Sequence, residues 1–159
     1  MYFKKLKSIA FFLTLVFCSQ ISFASEESKM FGDFIAGVIS SSTGGNSGSV
    51  CVFGHDEIVI SMAEKNKNLI NLDKDPNKYV TCKGVYVAQD KEKFLRASVD
   101  KFNRKRILTV SVLENFNENG GMVYVAMGRR NFELTINSKE VKDSGIKLSP
   151  TVLDFIINN

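Results

Sequence analysis

Tryptophan is missing from this chain of 159 residues, proline occurs twice and histidine once. With His55 as the lone imidazole, a zinc site has no second histidine to draw on. No serine stands in a G-x-S-x-G elbow, so a nucleophile-type hydrolase has no support. Beyond the N-terminus, no run is long and apolar enough to span a bilayer. Low-complexity sequence is confined to Ser40 to Ser49, a tract of Ser, Thr, Gly and Asn that reads as a loop or linker.

What is present begins with an address. Lys4, Lys5 and Lys7 precede an apolar core from Ile9 to Phe17, and Ser22-Phe23-Ala24 supplies the small residues a signal peptidase reads. This is the layout of a secretory signal peptide over residues 1–24, cleaved after Ala24. An uncleaved anchor is the rival, but the apolar core is short for a span. The expected mature chain is Ser25 to Asn159, a single soluble domain over 25–159 outside the cytoplasm. Three of the 21 Lys+Arg leave with the signal and none of the 17 Asp+Glu does, so 18 cations face 17 anions. The apparent basicity is therefore a targeting feature, and no nucleic-acid partner is expected.

Export also frames the cysteines. Cys18 leaves with the signal, and Cys51 and Cys82 remain in an oxidising compartment, where a disulfide is the default. Closing that loop is worth about 3–4 kcal/mol in the chain-entropy account. Two buried free thiols are the other reading.

Hydrophobic spacing predicts the elements. Glu26 to Ile39 reads as a helix, with Phe31, Phe34, Ile35, Val38 and Ile39 on one face and Ser25 as its N-cap. Val50 to Phe53 reads as a buried strand, and Asp56 to Lys65 as a weak helix. Leu69 to Leu72 and Val85 to Ala88 read as strands, and Asp73 to Lys78 as a charged loop. Asp90 to Asn103 reads as a helix with Phe94, Leu95, Val99 and Phe102 inward, followed by a strand from Ile107 to Val112. Strand–helix alternation of this kind predicts an α/β fold with a mostly parallel sheet flanked by helices. Met122 to Met127 and Asn131 to Ile136, joined by Gly128-Arg129-Arg130, predict a C-terminal antiparallel hairpin. A short helix from Lys139 should stop at Gly145, and a closing helix is predicted from Ser149 to Ile157, with Pro150 in its first turn.

Few residues suggest chemistry. His55-Asp56-Glu57 is a candidate metal or acid/base cluster, but consecutive residues point apart, and the two acids suit the first turn of a helix. Lys101, Arg104, Lys105 and Arg106 form either a binding patch or a set of cations at a helix C-terminus. Arg129 and Arg130 sit at the hairpin tip, where they meet either solvent or an acidic partner. Gly120-Gly121 fits neither phosphate-loop pattern and leads into a strand. After Asn117-Glu118-Asn119 it reads as a bend ahead of an antiparallel strand. No metal, cofactor or catalytic group is expected.

The C-terminal half resembles the YfiR family of periplasmic proteins. The likeness rests on Leu108-Thr109-Val110-Ser111, Phe116, Gly120-Gly121-Met122-Val123, Phe132-Glu133-Leu134-Thr135-Ile136-Asn137 and Ser144-Gly145-Ile146-Lys147-Leu148-Ser149. Val50-Cys51-Val52-Phe53-Gly54 and Cys82 follow the same order upstream. The resemblance implies an α/β fold, often dimeric, without enzymatic activity. It implies restraint of an inner-membrane diguanylate cyclase through its periplasmic region, hence control of cyclic-di-GMP and biofilm. An OmpA-type outer-membrane lipoprotein is the implied competitor. Cys51 and Cys82 match a family pair that forms an intrachain disulfide, and Gly120, Gly121, Phe132, Asn137 and Gly145 are carried as structural motif residues. Ser40-Ser41-Ser42 stands where members commonly carry Trp-Pro, the segment between Cys51 and Cys82 is short, and a second disulfide is absent. Phe31 and Phe34, with Arg129 and Arg130, are the candidate partner contacts. A periplasmic small-ligand sensor is the alternative, with a pocket expected around Gly54-His55 and Ser111, at the carboxyl ends of the strands.

Overall fold

A computed structural model describes residues 25–45, 48–129 and 131–154. The signal peptide expected over 1–24, Arg130 and the far end expected for the closing helix, Phe155 to Ile157, lie outside the described residues. Among those described, no helix is long and apolar enough to cross a membrane.

Helix α1 (Glu26–Ser41) starts where Ser25 accepts the Ser28 amide, and Glu26 and Glu27 complement its dipole. Strand β1 (Ser49–Phe53) leads into α2 (Glu57–Lys65). Asp56 is the N-cap of α2 and accepts the Val59 amide at 2.9 Å, so it stands one step outside the first turn expected for it. The short β2 (Ile70–Asn71) follows, then a 3-10 turn from Pro76 to Thr81 that begins in the expected charged loop and runs past its end, then β3 (Cys82–Val87). The helix predicted from Asp90 is split. Gln89–Phe94 is a 3-10 turn, and α3 proper is Leu95–Asn103. The break turns Phe94 outward, 68% exposed, so it is not part of the inward face assigned to it.

Strands β4 (Leu108–Ser111), β5 (Val123–Met127) and β6 (Phe132–Ile136) complete one sheet of order β2-β1-β3-β4-β5-β6. All pairings are parallel except β5 with β6, which is the C-terminal antiparallel hairpin. Helix α4 (Ser138–Ser144) ends at Gly145, whose φ is 72°, and α5 (Pro150–Leu153) is capped by Ser149. The fold is thus the expected α/β arrangement: a mostly parallel sheet, helices on its faces and a terminal hairpin.

Alternation along the strands builds two cores, one on each face. Val52, Tyr86, Leu108, Val110, Val123 and Leu134 meet Ile35 and Ile39 of α1 and Val59 and Met62 of α2. Cys51, Cys82, Val85 and Val87 meet Val99 and Phe102 of α3, with Leu113 and Phe116 beside them.

The glycine pair has a different setting from the one predicted. Strand β5 runs parallel to β4, so the stretch between them is a crossover, not a bend into an antiparallel strand. Parallel neighbours normally need a helix to make that return. Here Phe116, fully buried, plugs the α3-side core in place of a helix face. Gly121 lies against its ring, where a Cβ would collide, and Gly120 takes a φ of 88°.

Candidate functional site

Cys51 and Cys82 are joined, with Cα atoms 5.7 Å apart, and both are fully buried. The bond ties β1 to β3 inside the α3-side core. It is shielded from solvent, so its place in the fold is that of a brace.

Two proposed contact residues and one motif residue converge elsewhere. The Phe34 ring stacks on Phe132 at 4.3 Å, and Phe31 meets Phe132 edge-on at 5.0 Å. This aromatic set fastens α1 to β6. Each of the three rings stays half-buried, so they are partly consumed in holding the fold and partly on view. Phe34 and Phe132 border a groove of about 680 Å³, formed with Met30 and Gly37 of α1 and Thr151 and Val152 of α5. Met30 is half exposed there. Arg129 is exposed in the β5–β6 turn, where Gly128 donates its amide to Asn131.

Asn137 has a positioning role that spacing alone did not indicate. Its side-chain Oδ1 accepts the Glu140 amide at the start of α4, and its side-chain Nδ2 donates to the Asn117 backbone carbonyl oxygen at 3.2 Å. Asn117 returns a bond to the Thr135 carbonyl oxygen at 3.0 Å. The pair pins the β4–β5 crossover to β6.

A second concavity, about 650 Å³, opens at the carboxyl ends of the strands. Glu27, Phe31, Asp56, Glu57, Gln89 and Tyr124 contribute to its walls. In doubly wound sheets this is where ligands bind, and free amides at the strand end and helix start are what hold anionic groups. Those amides are committed here. Gly54 donates to Asp73 at 3.0 Å and His55 to Asp90 at 2.9 Å, with Lys91 bridging the two carboxylates at 3.0 and 3.6 Å. Asp56 is similarly occupied, receiving the Tyr86 hydroxyl at 2.8 Å and the Gln89 amide at 3.1 Å. Burial pushes the Tyr86 phenol well above its ordinary pKa, and the Asp56 charge adds to the shift. Gly54, His55 and Ser111 do not line the hollow as expected. His55 is exposed, and Ser111 is buried, donating to the Val87 carbonyl oxygen at 2.7 Å. Among the described residues, no three His, Cys, Asp or Glu side chains converge so as to hold a metal ion.

The Asp56–Tyr86 link was missed by sequence reasoning, although its first half was visible. An Asp just before Glu57-Ile58-Val59 is an N-cap signal. Its union with Tyr86, thirty residues on, depends on β1 and β3 lying side by side.

A family model described as YfiR/HmsC-like matches residues 39–155 of the chain. A crystal structure of a conserved domain protein from Vibrio cholerae O1 biovar El Tor str. N16961 superposes with a TM-score of 0.58 at 11% identity. The match covers 81% of this chain and 58% of that one, and at such identity it speaks to fold alone. No curated protein sequence matches significantly.

Proposed function

The chain belongs to the YfiR/HmsC-like family, and from that membership we propose that it is a periplasmic regulator of diguanylate cyclase signalling that acts by binding, not by catalysis. The family match over residues 39–155 is the observation that carries the reading. In the finer form, residues 1–24 are a cleaved signal peptide and the exported domain holds the periplasmic region of an inner-membrane cyclase in its inactive conformation. A binder that prefers one of two conformations shifts the population toward it, by no more than its difference in affinity. An OmpA-type outer-membrane lipoprotein competing for the regulator, and a homodimer as the working form, belong to the same proposal. The groove beside Phe34 and Phe132, with Arg129 and Arg130 at the hairpin, is the proposed contact face. Aromatic anchors next to arginine are typical of such surfaces.

Deleting the gene should raise cellular cyclic-di-GMP and biofilm, and crosslinking the tagged, exported protein should recover a membrane protein with a cyclase output domain. Unchanged cyclic-di-GMP together with no cyclase among the crosslinked products would refute the proposal.

The small-ligand reading has one observation in its favour, the hollow at the carboxyl ends of the strands. The committed amides of Gly54 and His55 disfavour a phosphate or carboxylate there. A thermal-shift screen without a stabilising compound counts against it.

A further inference from the structure

The opposite end of the molecule, where the parallel strands begin, carries different chemistry. Cys82 opens β3 and Leu108 opens β4. The chain reaches β4 through Arg104-Lys105-Arg106, just beyond Lys101, and all four residues are exposed. The neighbouring 3-10 turn presents Tyr79, half-buried, and Val80, 61% exposed. Lys101 and Lys105 lie 5.5 and 5.7 Å from the Tyr79 ring centroid, so the two turns share one surface. Lys78 is paired with Asp75, but among the described residues none of the ion pairs involves Lys101, Arg104 or Arg106.

Arg106 supplies a second, independent observation. Its φ is 56°, the only positive value at a non-glycine among the described residues. The Ile107 amide donates to the Phe102 carbonyl oxygen and the Arg106 amide to that of Asn103. These are the two bonds of a Schellman closure, with Arg106 at its left-handed position, where glycine is the unstrained choice. Cations do stabilise a helix C-terminus, but that effect fades within the last turn and Lys101, Arg104 and Lys105 already supply it. Non-glycine residues held in strained backbone conformations by their surroundings cluster at functional sites. Overall charge does not explain the cluster either, because 18 cations face 17 anions once residues 1–24 are set aside.

We propose that this end, Tyr79-Val80 with Lys101, Arg104, Lys105 and Arg106, is a docking surface for an anionic phospholipid bilayer. The cations would meet headgroup phosphates, while exposed Val80 reaches the level of the acyl boundary and Tyr79 carries Lys101 and Lys105 on its ring. An acidic protein segment fits less well, because it satisfies the cations and leaves the exposed aliphatic side chain without a counterpart. Docked in this way, the regulator presents its carboxylate-rich end to the solvent and searches for a membrane-borne partner in two dimensions. The proposal does not depend on which partner is regulated.

The test is flotation of the exported protein with vesicles of phosphatidylglycerol mixed with phosphatidylcholine, against pure phosphatidylcholine. Binding is expected to the first only and to fall with added salt. The double variant Arg104→Glu/Arg106→Glu should lose about tenfold or more in vesicle affinity, with an unchanged circular dichroism spectrum. Arg106→Gly should melt no lower than the parent yet bind anionic vesicles less, a split that a purely structural role would not produce. No binding to anionic vesicles at low salt overturns the proposal. So does equal binding to neutral vesicles, or parental binding by the charge-reversed variant. Loss of a crosslinked acidic protein from that variant, with no vesicle binding by the parent, would overturn it in favour of a protein partner.

Discussion

Gly121 shows how a single missing atom serves this fold. The Phe116 ring occupies the space a Cβ would take, and that ring is fully buried in the α3-side core. Gly121→Ala should therefore cost about 1–3 kcal/mol by overpacking, read as a lower urea midpoint. An unchanged midpoint would mean that the crossover adjusts without strain. Tyr86 makes a different kind of prediction. Its phenol keeps its proton in the folded state, because burial and then the Asp56 charge raise its pKa above the ordinary 10.0. The unfolded phenol ionises near 10, so its contribution is complete below that pH and is lost progressively as pH rises above it toward the raised folded value. Resistance to urea should accordingly fall from about pH 10 upward. Tyr86→Phe should flatten that slope and, at neutral pH, cost about 1–3 kcal/mol for the lost bond to a carboxylate. Some slope should persist from Tyr124, whose phenol is raised by burial and then by Glu114. Identical pH profiles for parent and variant would contradict the assignment.

At the scale of elements, the disulfide and the aromatic clasp divide the work. The bond between Cys51 and Cys82 closes a separation of 31 residues across two paired parallel strands. Replacing both cysteines by alanine should lower stability by about 3–4 kcal/mol, measured by urea unfolding of oxidised parent and variant; equal midpoints would deny the brace its role. Helix α1 was legible because its apolar residues repeat at helical spacing and Ser25 marks its start. The split of the predicted helix from Asp90 was not legible. Period alone cannot say that Gln89–Phe94 winds tighter than α3, and that tightening is what turns Phe94 outward. The glycine pair was misplaced for a similar reason. Asn and Gly residues build hairpins and crossovers alike, whereas strand direction depends on where β5 finds its partner. Phe31 and Phe34 were correctly placed on one helix face, but their counterpart Phe132 lies a hundred residues away in sequence and is found only in the folded chain.

For the whole molecule, one sheet separates two cores, and β1, β3 and β5 contribute to both through alternate side chains. Neither core can melt without exposing the other. Tyrosine fluorescence and far-ultraviolet circular dichroism should therefore report one coincident unfolding transition; separated midpoints would show that the cores are independent. The two ends differ in charge. Glu27, Asp56, Glu57, Asp73 and Asp90 gather at the carboxyl ends of the strands, and Lys101, Arg104, Lys105 and Arg106 at the amino ends. This separation is invisible in a nearly balanced composition.

By itself the sequence determined the α/β class, the order and type of most elements, the family likeness and Cys51 and Cys82 as the candidate disulfide pair. These follow from local periodicity, capping, and a cysteine count that allows few pairings. Only the tertiary structure decided the parallel β4–β5 crossover, the clasp of Phe31 and Phe34 on Phe132, the Asp56–Tyr86 bond and the left-handed Arg106. Each of these depends on which segments come to lie together, or on a backbone strain imposed by them, and neither is set by spacing along the chain.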